Sequence, residues 1–122
     1  MEKIAVSCEG PSLDARVDPR FGRAAGFLVV DPKTLAFEFL DNGSTQVMSQ
    51  GAGIQAAEIV ANSGASVVLT GFVGPKAFQA LSAAKISVSQ NMENLTVREA
   101  LDKYNAGDVT VAAEPNRPGH WR

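Results

Sequence analysis

The run Val67-Val68-Leu69, with the Thr70-Gly71-Phe72-Val73-Gly74-Pro75-Lys76-Ala77-Phe78 that follows it, most constrains what this chain can fold into. A short, wholly apolar, β-branched run reads as a buried parallel strand. Gly71 and Gly74 free the backbone to turn tightly. Pro75 suits the first position of a helix, where its φ is already set and no N–H is lost. Ala77, Phe78, Leu81 and Ala84 then recur at helical spacing. The unit is strand, glycine turn, helix, with the helix N-terminus at the carboxyl end of the strand. Open α/β sheets bind ligands at that edge, and free N–H groups with the helix dipole favour an anion there. A plain strand-to-helix connection has the same turn chemistry, so the motif alone does not decide.

The remaining elements fall around this unit. Residues 3–7 read as a first strand, and a long loop follows, from Glu9 to about Arg23. That loop concentrates Arg16, Arg20 and Arg23, partly offset by Asp14 and Asp18. It is either a solvated loop with weak local ion pairs or a guanidinium-lined anion clamp. Residues 27–31 and 35–40 form a hairpin across Asp31-Pro32-Lys33-Thr34. A polar linker, residues 41–50, leads to Gly51-Ala52-Gly53 and a helix over about 54–63. Gln55, Glu58 and Asn62 are its only polar stripe, so most of its circumference is expected to be buried. Residues 85–88 are a fifth strand. Thr96 and Glu99 form a capping box for a last helix with Val97, Ala100, Leu101 and Tyr104 on one face. Residues 1–111 are expected to form one domain, and residues 112–122 a mobile C-terminal tail.

The order βββαβαβα fixes directions. The hairpin turns strand two down and strand three up, and each later helix returns the chain to an up strand. All helix N-termini then open at one end of the sheet, with helices on both faces. That end is expected to hold Arg16, Arg20 and Arg23, Gly51, Ala52 and Gly53, Gly71 and Gly74 with Lys76, and the turn over residues 91–96.

Composition narrows the function. With 122 residues, 45% hydrophobic and 20% charged, the chain can build one core. A net charge of -2 argues neither for nucleic acid nor for an anionic membrane. The apolar run at the N-terminus is too short for a signal peptide, no stretch suits a membrane span, and a cytoplasmic location is expected. Cys8 is the only cysteine and reads as a small buried hydrophobe. His120 is the only histidine and falls in the tail, so a histidine base or nucleophile pair is not expected. Gly51-Ala52-Gly53-Ile54-Gln55-Ala56 matches a dinucleotide pattern but lacks the preceding strand and the following acid. Met48, Met92 and Cys8 are soft donors that suit core packing better than metal. Anion binding without catalytic or metal-ligating residues is what remains.

Four blocks carry a resemblance: residues 17–24 (VDPRFGRA), 51–57 (GAGIQAA), 71–78 (GFVGPKAF) and 96–100 (TVREA). In this order they resemble the nitrogenase iron–molybdenum-cofactor accessory-factor family, over nearly the whole chain from Lys3 to about Gly107. Within it, Ser7-Cys8-Glu9-Gly10 and residues 20–27 look closest to a branch that carries a mixed molybdenum–copper sulfide cluster. The resemblance implies a ribonuclease-H-like three-layer α/β/α fold with a five-stranded mixed sheet, order 3-2-1-4-5, strand two antiparallel. It implies a non-enzymatic carrier or store for a metal–sulfur cluster, with a family association to ATPases that act in cell division. Some relatives have a histidine near the glycine turn or a histidine-rich tail. Here Gln50 precedes Gly51, which argues against imidazole ligation. A nucleotide- or phosphate-binding enzyme using the same edge, and an interaction module without cofactor, are the alternatives.

Overall fold

The computed structural model describes residues 2–43 and 51–112. Five strands, β1 (Ile4–Cys8), β2 (Gly26–Val30), β3 (Phe37–Asp41), β4 (Val67–Leu69) and β5 (Ser87–Ser89), form one sheet in the order β3-β2-β1-β4-β5. β2 is antiparallel to both neighbours, and β4 is parallel to β1 and to β5. This is the topology expected from the direction count and from the family resemblance.

Alternation along the central strands builds two cores. Ala5, Phe27, Val29, Val68 and Val88 face a cluster with α1 (Ala52–Asn62) and α2 (Pro75–Ala83), through Ala56, Val60, Ala77 and Leu81. Ile4, Val6, Cys8, Leu28, Val30 and Leu69 face the other cluster, with Val97, Ala100 and Leu101 of α3 (Val97–Asn105). Because both faces of β1 and β2 are covered, those strands are buried throughout and read as apolar runs, broken only by the buried Ser7.

Three elements start two residues away from expectation, while the first two strands shift by one. The third strand starts at Phe37 rather than Leu35. Leu35 takes a positive φ of 65° and donates its N–H to the Asp31 carbonyl, so it closes the hairpin turn. The fifth strand starts at Ser87 rather than Lys85, because α2 ends in a Schellman motif. The Ile86 N–H bonds the Leu81 carbonyl, the Lys85 N–H bonds the Ser82 carbonyl, and Lys85 takes the left-handed conformation at φ 63°. Finally, α1 begins two residues early, at Ala52, and leaves Ile54 40% exposed. Its outer face is less covered than its single polar stripe suggests.

At the other sheet edge the chain runs back along β5. Ser89 Oγ donates to the Thr110 carbonyl and the Ala112 N–H to the Val88 carbonyl. Residues 113–122, most of the expected tail, and residues 44–50 of the linker lie outside the described residues.

Candidate anion-binding edge

The long loop after β1 is stitched to the carboxyl end of the sheet at two places. On the α3 side, Arg16 bridges Thr96, the Val17 N–H bonds the Leu95 carbonyl, and the Val97 N–H bonds the Ala15 carbonyl. On the α1/α2 side, Arg20 bridges Phe72, the Phe72 N–H bonds the Pro19 carbonyl at 2.6 Å, and the Phe21 N–H bonds the Phe72 carbonyl at 3.1 Å. Between these points Ser7 pins the chain. Its carbonyl accepts the Asp18 N–H and its Oγ donates to the Asp18 carbonyl at 2.8 Å. Thr70 Oγ1 lies 2.7 Å from Ser7 Oγ. Since the Ser7 proton goes to Asp18, Thr70 must be the donor of that pair.

Glycines let the backbones meet. A Cβ on Gly71 would stand 2.7 Å from the Pro19 carbonyl oxygen, and one on Gly22 would stand 2.9 Å from Gly53 Cα. A Cβ on Gly53 would stand 2.9 Å from Ala77 Cβ, so the first turns of α1 and α2 are in direct contact. Gly74 has open space around its Cβ position, and Gly51 supplies the left-handed turn into α1 at φ 80°. Gly71 and Gly53 are therefore close-approach glycines. Gly71→Ala should lower stability by about 1–3 kcal/mol through forced backbone displacement. Gly74→Ala should cost about 1 kcal/mol or less, the difference between glycine and alanine as a helix cap. Urea midpoints of the two variants check this, and equal losses would contradict it.

The helix N-termini are not equivalent. α3 is saturated by protein groups. Val97 and Arg98 donate to the Ala15 and Leu13 carbonyls, Glu99 N–H donates to Thr96 Oγ1, and Glu99 Oε1 accepts the Thr96 N–H. α1 and α2 start at Gly51 and Gly74, neither with a side-chain cap, and neither has an acid in its first turn. Two helix dipoles thus bring their positive ends together with no side-chain cap and no first-turn acid on either helix. Arg20 and Arg23 flank Phe21 and Gly22 in the turn that packs on α1, and Lys76, exposed, lies in the first turn of α2. The arrangement suits a multivalent anion.

Of the sequence-derived site residues, Arg20, Arg23, Gly51, Ala52, Gly53, Gly71, Gly74 and Lys76 gather on the α1/α2 side of the edge. Arg16 stands apart, over the capped start of α3. Arg20 is 54% exposed at its side chain, with Nε 3.6 Å from Asp18 Oδ1. A cleft of about 280 Å³ lies instead beside β5, lined among others by Asn91, Met92, Lys103 and Thr110. Lys103 there is already paired with Asp108 at 3.1 Å, so that cleft offers an anion little unpaired charge.

Sequence reasoning missed two residues. Asp18 enters it only as a charge offsetting the arginines, yet it is buried and its carboxylate accepts the N–H groups of Arg20 and Ala25. Acceptance from two residues on is the Asx-turn habit of an Asp before Pro-Arg, a signal legible in principle. Asn42 is fully buried at the end of β3, with Nδ2 donating to the Gly22 and Ala24 carbonyls. No local pattern in the polar linker announces it.

Soft-metal ligation finds little support among the described residues. Met92 is buried in the α3-side core. Met48 lies outside them. No three His, Cys, Asp or Glu side chains there converge as a metal site. Cys8 is buried, and burial chiefly pushes its thiol up to about 11 from 9.0; backbone N–H groups of Gly10 and Leu28 oppose the shift, and Asp18 adds to it. It is a protonated core group, not a thiolate. Below pH 9 the folded and unfolded chains both hold the proton. Between pH 9 and 11 only the folded chain does, so stability is full below pH 9 and falls as pH rises to 11, by roughly 2–3 kcal/mol. Cys8→Ala should remove that slope, read as urea midpoints at pH 8 and 10.5. Tyr104, raised to about 12 by its hydrogen bond to Glu2 and by burial, titrates in both forms and cancels in the comparison.

The profile of the dinitrogenase iron-molybdenum cofactor family matches residues 2–107. The chain belongs to that family. Its fold superposes with a TM-score of 0.93 on the apo form of the orange protein from Desulfovibrio gigas, at 61% identity, covering 96% of this chain and 98% of that one. A putative NifB protein from Thermotoga is 26% identical with a TM-score of 0.82, again over 96% and 98% of the two chains. A putative dinitrogenase from Methanocaldococcus jannaschii, 13% identical with a TM-score of 0.66 over 93% and 96%, shares the fold. No curated protein matches. Membership in the dinitrogenase iron-molybdenum cofactor family gives the chain a metal-cluster-associated role, in a fold whose described helices are none of them long and apolar enough to cross a membrane.

Proposed function

We propose that this protein carries or stores, without catalysing a reaction, an anionic metal–sulfur cluster, a mixed molybdenum–copper sulfide, in the cytoplasm. The cluster is cargo held noncovalently at the joined N-termini of α1 and α2. The observation that carries this reading is the contrast among the three helices. α3 has every early N–H occupied by protein, whereas α1 and α2 touch through Gly53 and Ala77 with neither cap nor acid. A thiometallate is a large anion with sulfur acceptors, and guanidinium groups and helix N-termini suit it. The likeness to the orange protein, known as an apo form, supports a cargo-bearing counterpart. The buried, protonated Cys8 supports a site without thiolate ligands.

The test is to mix apo-protein with preformed molybdenum–copper sulfide cluster, pass it through a desalting column, and assay the protein fraction for visible absorbance, molybdenum and copper. Parent and Cys8→Ser should both retain the cluster. Parallel mixtures with ATP and with inorganic phosphate should retain neither. Loss of cluster from Cys8→Ser with its circular dichroism intact would overturn the noncovalent reading. Retention of ATP instead of cluster would favour a nucleotide-binding protein.

A further inference from the structure

Residues 20–25 form a turn that carries both arginines of the α1/α2 side, and it is held from two directions. Asp18, almost wholly buried, accepts the Arg20 N–H at Oδ1 (3.1 Å) and the Ala25 N–H at Oδ2 (3.3 Å), so one carboxylate clasps the two ends of the turn. Its Oδ1 also faces Arg20 Nε at 3.6 Å. Asn42, with no exposed surface, donates from Nδ2 to the carbonyls of Gly22 (3.3 Å) and Ala24 (2.9 Å), while its own N–H bonds the Ala25 carbonyl at 2.9 Å. Asn42 Oδ1 has no partner among the described residues.

We propose that Asp18 and Asn42 are positioning residues that fix the turn over residues 20–25 in its binding shape, Asp18 through two N–H groups and Asn42 through two carbonyls. The inference rests on the cluster-carrier reading and deepens it. Asp18 is a negative charge beneath a site for an anion, so on charge alone it opposes binding. Its contribution is geometric. It and Asn42 hold the Arg20 and Arg23 backbone against α1 and α2 before the cargo arrives, which lowers the ordering entropy that binding must overcome. The same logic governs residues behind metal ligands, whose loss weakens binding although they never touch the ion.

The experiment titrates parent, Asp18→Asn and Asn42→Ala with the preformed molybdenum–copper sulfide cluster at two ionic strengths, and records amide hydrogen exchange of residues 20–25 in each apo-protein. Asp18→Asn keeps one acceptor and exchanges the other for a donor, so it guards against simple unfolding of Asn42→Ala. Both variants should bind roughly 10- to 100-fold more weakly. Asn42→Ala should keep the parent's salt dependence, since no charge changes, whereas Asp18→Asn, which removes a repelling charge, should show an equal or steeper one, and both should exchange the Ala24 or Ala25 amide faster. Tighter binding by Asp18→Asn would overturn the proposal and make that carboxylate a mere electrostatic opponent. Unchanged affinity alongside faster exchange would overturn it too, because a loosened turn would then bind as well as a fixed one. A parent that takes up no cluster removes the cargo reading itself, a result separate from either of these.

Discussion

Replacing Arg20 and Arg23 together by Gln should weaken uptake of the molybdenum–copper sulfide cluster about a hundredfold or more and leave folding nearly untouched. Each charge-assisted hydrogen bond in a partly dry site contributes about 1.5–3 kcal/mol. Two lost contacts therefore remove at least about 3 kcal/mol, close to two decades in affinity. Folding should change little because Arg20 pairs with Asp18 only at a long 3.6 Å and its side chain is 54% exposed. A pair of that kind contributes at most about 1 kcal/mol. Asp18 keeps its two backbone donors in the variant, so no buried carboxylate is stranded. Raising salt should weaken the parent more than the double variant, because screening acts on charges that are present. Titration of both proteins at two ionic strengths, beside their thermal midpoints, checks all three statements. Equal affinities at both salts would remove the arginines from the site and leave the helix N-termini to hold the cluster alone.

How far this edge is legible in the sequence depends on the kind of interaction. The strand order follows from local pattern, because a short hairpin linker at Asp31 forces antiparallel pairing and each later helix forces a return in parallel. The capping box at Thr96 and Glu99 is likewise local and forms as its spacing requires. Lys85 shows where local rules stop. A lysine in the left-handed region at a helix end is disfavoured by about 1–2 kcal/mol, and the Leu81–Ile86 contact in the core offsets that cost only after folding. The glycines divide the same way. Sequence marks Gly71 and Gly74 alike as turn residues, but only the packed structure separates Gly71, pressed on Pro19, from Gly74, which faces open space. Arg16 and Arg20 look equivalent in one loop. The loop's two attachment points send one to α3 and the other to α1 and α2. Asn42 is the extreme case, since its partners lie 18 and 20 residues back in the chain and nothing near it fixes its role.

Phe21→Ala should be the most damaging single change in the arginine turn, and it should separate anchoring from charge. Phe21 is 1% exposed, its ring centroid 5.2 Å from that of Phe27 on β2 and tilted by 48°, within the core shared by α1 and α2. Arg20 and Arg23 stand on either side of it, so its burial is what seats the turn on the sheet. Truncation removes the buried ring and leaves a cavity that close-packed glycines at Gly22 and Gly53 cannot fill by moving side chains. The expected loss is about 3–5 kcal/mol. At about 4 °C per kcal/mol for a chain of this size, the thermal midpoint should fall by ~12–20 °C. Phe21→Leu keeps much of the volume and should lose roughly half as much. Cluster affinity should fall in Phe21→Ala as well, but with the parent's salt dependence intact, because both guanidinium groups remain. The arginine double variant should show the opposite pairing, with its thermal midpoint nearly kept and its salt dependence reduced. Calorimetry and cluster titration on the same preparations make the comparison. A midpoint drop of only a few degrees in Phe21→Ala would mean that the backbone pairing with Phe72, and not the buried ring, holds the turn in place.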